Sequence, residues 1–271
     1  MTATRRTTKK RSSNLERIMP FLLPAAPWIV CILTFVTWEA VCRIFALPDF
    51  ILPRPSRIAS VLVSTAGPIW FHASQTLMTT SIGFVLSVAF GLVMGIAVGS
   101  VRLIYAGFYP LLIGFNSVPK VAVVPVLVVW FGIGTVPAVL TAFLMSFFPI
   151  VVNVATGLAT VEPELQDVLL SLGAKKRDLI LKVGLPRSLP YFFASLKIAV
   201  TLAFVGSVIS ESIASSRGIG TLMVRAASDF RISLVFAGLV VTAAMGIAMY
   251  AAFALLERHT TKWAVRRNDL V

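Results

Sequence analysis

Apolar positions along this chain fall into long unbroken blocks, not into the one-sided stripes of a water-soluble helix. Six runs stand between short polar gaps, near 23–45, 75–99, 106–133, 136–158, 190–212 and 232–256. Each meets the roughly 20 apolar residues that a helix needs to cross the hydrocarbon core of a bilayer. The pattern predicts an all-α membrane protein with six transmembrane helices in 23–256, a basic segment 1–22 before them and a basic tail 257–271 after them.

Two runs carry further structure. In the third, Pro110, Pro119 and Pro125 alternate with Asn116, Ser117 and Lys120, and the run closes on Trp130-Phe131-Gly132-Ile133-Gly134. Proline removes an amide and clashes with the preceding turn, so this helix is expected to kink or open inside the membrane. Irregular backbone is tolerated there only under cover of protein or beside a water-filled cavity. A pathway lining is the functional reading. In the second run Gly83, Ser87, Gly91, Gly95 and Gly99 recur at every fourth position, which bares one helix face for close backbone approach. Packing within one chain is the simpler reading and a seam between two chains the alternative.

Composition sharpens the class. With 58% hydrophobic and 13% charged residues, a water-soluble globule, a disordered tail and a coiled coil are excluded. Cys31 and Cys42 share the first run, so there is no disulfide scaffold and no zinc set. The net charge of +13 could suggest nucleic acid, but its distribution indicates topology. Sixteen Lys and Arg lie in the N-terminal segment, the 2–3 and 4–5 gaps and the tail, against six in the other gaps. The positive-inside rule then puts both termini in the cytoplasm, with a lipid bilayer and no nucleic acid as partner. A cleaved signal peptide would also begin with a basic stretch and an apolar run. Here the run from Phe21 to Phe45 is too long, is interrupted by Pro24 and Pro27 and lacks a small-x-small exit, so it reads as an uncleaved first helix.

Intramembrane ionisable groups cost about 2.5–3.5 kcal/mol each on insertion scales, so Glu39, Lys120, Lys197 and Glu211 need an explanation. Snorkelling toward water serves best for Glu211, at the outer end of the fifth run, and for Lys197, about two turns from the inner face. For Lys120 and Glu39 an aqueous cavity explains as much. These two, with Asn116, Ser117, Pro119, Trp130 and Glu211, are the pathway candidates, and Gly83, Gly91, Gly95 and Gly99 the packing candidates. No catalytic constellation is visible. His72 and His259 are far apart, and G-x-S-x-G, H-E-x-x-H and the G-x-x-x-x-G-K-[ST] phosphate loop are all missing. The chain is expected to bind no cofactor or metal and to be a transport subunit, not an enzyme.

The longest cytoplasmic gap, 160–190, is the most informative. Pro163 suits a first helical turn, Glu162 and Glu164 favour its N-terminus, and Leu165, Val168, Leu169 and Leu172 follow i, i+3, i+4, i+7 spacing. Gly173 stops this helix. A second short helix, from Lys176 to Val183, is expected to lead through Gly184-Leu185-Pro186 to the next span. The first helix could lie on the lipid surface, but Glu162, Glu164 and Asp167 on its polar face would be repelled by anionic headgroups. An apolar stripe flanked by acids better suits a groove on a protein.

The run Asp167-Val168-Leu169-x3-Gly173-x9-Val183-x-Leu185-Pro186 resembles the loop E-A-A-x3-G-x9-I-x-L-P of binding-protein-dependent ABC importer permeases. Val168 and Leu169 replace both alanines of that pattern. Ser117-x-Pro119-Lys120-x4-Pro125, Trp130-Phe131-Gly132-Ile133-Gly134, Phe147-Phe148-Pro149-Ile150, Leu172-Gly173-Ala174 and Glu211 followed by Gly218-Ile219-Gly220 are similar to the nitrate/sulfonate/taurine subgroup. The resemblance implies the six-span type I importer (MetI-like) fold in a prokaryotic cytoplasmic membrane. It implies a paired permease, the second subunit expected to be a copy of this chain with a paralogue as the alternative, working over two cytoplasmic ATPase subunits that hold ATP and Mg. An external solute-binding protein would deliver a small anion. Glu164, Leu165, Asp167, Val168, Leu169, Leu172, Gly173, Ala174, Leu185 and Pro186 would couple the ATPase to the pore by alternating access, with Asp167 facing a basic partner residue. A vitamin precursor or aromatic compound is the alternative cargo. The rival classes are a stand-alone channel or secondary transporter, a membrane enzyme and a structural assembly protein.

Overall fold

The computed structural model describes residues 14–159, 168, 170–175 and 179–260, and among them every regular element is helical. In chain order these are α1 (Asn14–Ile44), α2 (Pro55–Ser64), α3 (Ala66–Gly99), α4 (Arg102–Ser117), α5 (Val124–Phe131), α6 (Thr135–Ala159), α7 (Leu185–Ala214), α8 (Ile219–Ser228) and α9 (Ile232–Thr260). Five are long and apolar enough to cross a membrane, and α4 with α5 forms a sixth span broken by a 74° bend. The six expected spans are therefore present.

Their ends differ from the sequence reading in ways proline explains. The second span starts at Ala66 and not at 75, because Pro68 sits in the first turn of α3, where its missing amide has no intrahelical partner to lose. The helix of the fifth span starts at Leu185 and not at 190. A π turn, Leu179–Gly184, runs straight into α7, with Pro186 in the first turn and Pro190 inside the helix. Two short amphipathic helices, α2 and α8, fill gaps that the apolar blocks left unassigned.

Helices α3, α6 and α7 form the centre. Ala142, Ile150, Val154, Leu196, Ala199, Val200 and Ala203 are buried between them, with Phe84 closing the α3 side. The glycine face of α3 lies on α6. A Cβ at Gly83 would come within 2.6 Å of the Ala142 Cβ, one at Gly91 within 2.8 Å of Ile150, one at Gly95 within 2.7 Å of Val154 and one at Gly99 within 2.8 Å of the Ala155 backbone. Ser87, in the same row, donates to the Phe143 carbonyl at 3.0 Å and meets Ser146 Oγ at 2.6 Å. Small side chains thus let two helices approach to backbone contact, and a hydroxyl pair adds polar cohesion where no water competes. A second apolar cluster, around Ile58, Ile69, Ile219 and Ala237, joins α2, α3, α8 and α9 at one end. Helix α1 packs chiefly on α2 and keeps most of its apolar surface exposed, as a lipid-facing helix should.

Candidate functional site

The broken span owes its shape to its prolines. Helix α4 ends at Ser117, Val118 and Pro119 are extended, a 3-10 turn covers Lys120–Val123, and Pro125 sits in the first turn of α5. Lys120 stands on the bend. Its ammonium donates to Asn116 Oδ1 at 2.8 Å and to the Asn116 carbonyl at 3.2 Å, and lies 5.9 Å from the centre of the Phe148 ring. The Lys120 ammonium therefore satisfies the Asn116 carbonyl that the bend frees, and the Asn116 side chain holds the cation there. Ser117 donates back to the Ile113 carbonyl at 3.1 Å. Asn116, Ser117 and Pro119 are exposed on this chain, and Trp130 keeps 70% of its surface. At the far end Gly132 (φ 77°) and Gly134 (φ 145°) turn the backbone into α6, and the Gly134 N–H donates to the Ala214 carbonyl at 3.2 Å, tying the broken span to the end of α7.

Glu211 corrects the snorkelling expectation. It is 1% exposed and collects donors from three elements. Thr76 Oγ1 donates to Oε2 at 2.7 Å and the Gly220 N–H at 3.3 Å, while Thr79 Oγ1 reaches Oε1 at 3.2 Å and Ser207 Oγ at 3.4 Å. Thr76 in turn accepts the Ile219 N–H at 2.8 Å, and Thr221 donates to the Glu211 carbonyl at 2.9 Å. Gly218, at φ 124°, meets His72 Nδ1 through its N–H at 3.1 Å or its carbonyl at 3.0 Å, according to the tautomer. The first amides of α8 are thereby capped by side chains of α3 and α7, and a carboxylate sits at a helix N-terminus, where the dipole favours it. A carboxylate followed by Gly218-Ile219-Gly220 was the available signal. What it lacked was knowledge that α3 would bring hydroxyls to meet it.

The other intramembrane charges are also satisfied. Lys197 does not snorkel: it pairs with Glu257 of α9 at 2.7 Å. Glu39 accepts the Ser56 N–H at 3.1 Å and Oγ at 2.9 Å and pairs with Arg43 at 2.7 Å, so it caps α2 and is not gathered with Lys120. Among the described residues no His, Cys, Asp or Glu cluster could hold a metal ion.

In the 160–190 loop, Glu164, Leu165, Asp167 and Leu169 lie outside the described residues. Around them, the Leu172 N–H donates to the Val168 carbonyl at 3.1 Å and the chain turns at Gly173, where φ is 84°. Val168, Leu170 and Leu172 are exposed, Ala174 is half-buried, and Leu185 and Pro186 open α7. The described part of the loop thus presents apolar side chains outward just before a left-handed stop that glycine favours.

Residues 87–262 match the family described as binding-protein-dependent transport system inner membrane component. The chain belongs to this family. It is a permease subunit of an ABC importer, located in the inner membrane. The permease is 30% identical over 238 residues to the formylaminopyrimidine transport permease ThiX of Halalkalibacterium halodurans, across 88% of this chain and 95% of that one. It is 29% identical over 234 residues to the taurine transport system permease TauC of Escherichia coli, across 83% and 85%. Its fold is that seen in the MetNI methionine ABC transporter in an inward-facing conformation, with a TM-score of 0.63 at 17% identity, across 74% of this chain and 98% of that chain.

Proposed function

We propose that this permease pairs with a second copy of itself and carries a small sulfonate-like anion inward by alternating access. Two cytoplasmic ATPase subunits supply ATP and Mg and engage the 160–190 loop through its apolar stripe and Asp167, and an external solute-binding protein delivers the cargo. Both termini are cytoplasmic, and 1–22 and 257–271 flank the membrane unit 23–256. The observation that carries the anion reading is Lys120. It is the one charged residue in 103–131, it stands on the bend of the broken span, and it is held by neutral partners and not by a carboxylate. A cation without a counter-charge gives a route a positive potential.

A neutral aromatic cargo is the second reading, favoured by the Phe148 ring beside Lys120 and by the formylaminopyrimidine relative. The test is purification of the tagged chain in mild detergent with its partners, followed by uptake into liposomes with ATP inside. One ATPase per permease chain, and ATP-dependent uptake of taurine that excess pyrimidine leaves unchanged, is the expected outcome. Inhibition by the pyrimidine alone would move the cargo to the second reading. A chain that purifies alone and passes solute without ATP would be a channel or gradient-driven carrier.

A further inference from the structure

Away from the broken span, the loop between α1 and α2 meets the loop between α8 and α9 around two adjoining cavities of about 380 and 370 Å³. Both are lined by Asp49 and Arg57; Arg231 borders the first and Arg54 the second. Three arginines and one aspartate thus line the pair of cavities, and a second carboxylate, Glu39, already paired with Arg43, holds Ser56 at the rim of the second. Asp49 pairs loosely with Arg57 alone, Oδ2 to Nε at 3.7 Å, and both side chains are about half exposed, so solvent screens the pair. Arg54 Nε is buried with no hydrogen-bond partner among the described residues, an expensive state for a charged donor. Residues 232–234, the first turn of α9, complete the first cavity beside the arginines, with the Leu234 N–H donating to the Arg231 carbonyl at 2.9 Å.

Two independent features support a built site. The only non-glycine residues with left-handed backbone among those described are Ala46 and Phe230, one in each of the two loops. Such strain persists where the surrounding structure holds it, and here it precedes Asp49 on one side and Arg231 on the other. The cleft also sits where α1 ends and α9 begins, at the boundary between hydrocarbon and water, with Phe50 and Phe230 exposed at 60% and 78%. Phe50, Val61 and Phe230 give the first cavity an apolar wall next to its cationic one.

We infer that this cleft binds a tetrahedral oxyanion bearing an apolar group: the phosphate of an anionic phospholipid, or a free alkyl sulfonate. Guanidinium forks match the oxygens, and the aromatic wall takes the carbon portion. The site is separate from the broken span, and it holds for any cargo and for either side of the membrane on which this face lies.

The experiment uses the purified full-length permease in neutral detergent, as wild type, Arg57→Gln/Arg231→Gln and Asp49→Asn. Native mass spectrometry reads retention of phosphatidylglycerol over phosphatidylcholine, and thermal unfolding reads stabilisation by butanesulfonate. Each arginine lost should weaken the preference about fivefold (about 1 kcal/mol), and Asp49→Asn should strengthen it about as much. If the ligand is a lipid, the phosphatidylglycerol preference falls in the double variant and butanesulfonate shifts the two proteins equally. If it is a free anion, butanesulfonate stabilises the wild type more than the double variant and lipid retention is equal. Where the double variant does not fold, Asp49→Asn alone decides. Equal responses of wild type and variants to both probes overturn the site, whatever the transport assay shows.

Discussion

Replacing Glu211 separates hydrogen-bond geometry from charge. In Glu211→Ala, Thr76 Oγ1 can turn to the His72 carbonyl at 3.3 Å, and Thr79 Oγ1 to the carbonyls of Gln75 or Thr76 at 3.1 and 3.0 Å. The Gly220 N–H cannot rotate. It loses its acceptor in a buried site, at a cost of about 1–3 kcal/mol, and the void adds about 1 kcal/mol more. The total, about 2–4 kcal/mol, corresponds to a fall in melting temperature on the order of 10 °C for a chain of this size. Glu211→Gln should behave differently. Its carbonyl can take the Oε2 position and accept from Thr76 and Gly220, and its amide can take the Oε1 position and donate to the Thr79 and Ser207 hydroxyls. It should lie within about 1 kcal/mol of wild type. Thermal unfolding of the detergent-purified protein, followed by tryptophan fluorescence, reads both variants. An alanine variant as stable as wild type, or a glutamine variant as unstable as alanine, would refute the cap.

Further outcomes follow from other contacts. Gly91→Leu should force α3 from α6 and cost about 2 kcal/mol or more, whereas Gly67→Ala, with open space around it, should be neutral; helix-protected hydrogen exchange in α6 checks both. Gly173→Val places a β-branched side chain at φ 84° and should uncouple ATP hydrolysis from uptake with expression intact, while Gly173→Asn should retain coupling. Asp167→Lys should lower ATPase co-purification, and normal co-purification would show the acid to be merely solvated. Lys120→Ala should reduce anion uptake and flatten its salt dependence, with Lys120→Arg preserving both; unchanged uptake and salt response would end the electrostatic reading.

Six spans, the opened third run and the stop at Gly173 were legible along the chain because each is a local effect. Hydrocarbon thickness sets run length, a missing amide breaks a helix, and a positive φ selects glycine. Family membership was legible for the same reason, since it is carried by short motifs with set spacing. Helices α2 and α8 were not, because ten-residue amphipathic segments at a membrane surface lack the continuous apolar signal of a span.

Only the tertiary structure decided what the polar groups do. Glu211 and Lys197 look like residues near span ends until α3 and α9 arrive with partners 135 and 60 positions away. Glu39 looks like a pathway group until α2 turns its first amide toward it. The glycine row marked a surface for close approach, but only the fold assigns it to α6 of the same chain. Sequence determines which groups are costly to leave in a membrane, because that cost depends on the group alone. Which distant residue relieves the cost depends on how the helices pack, and no local pattern encodes it.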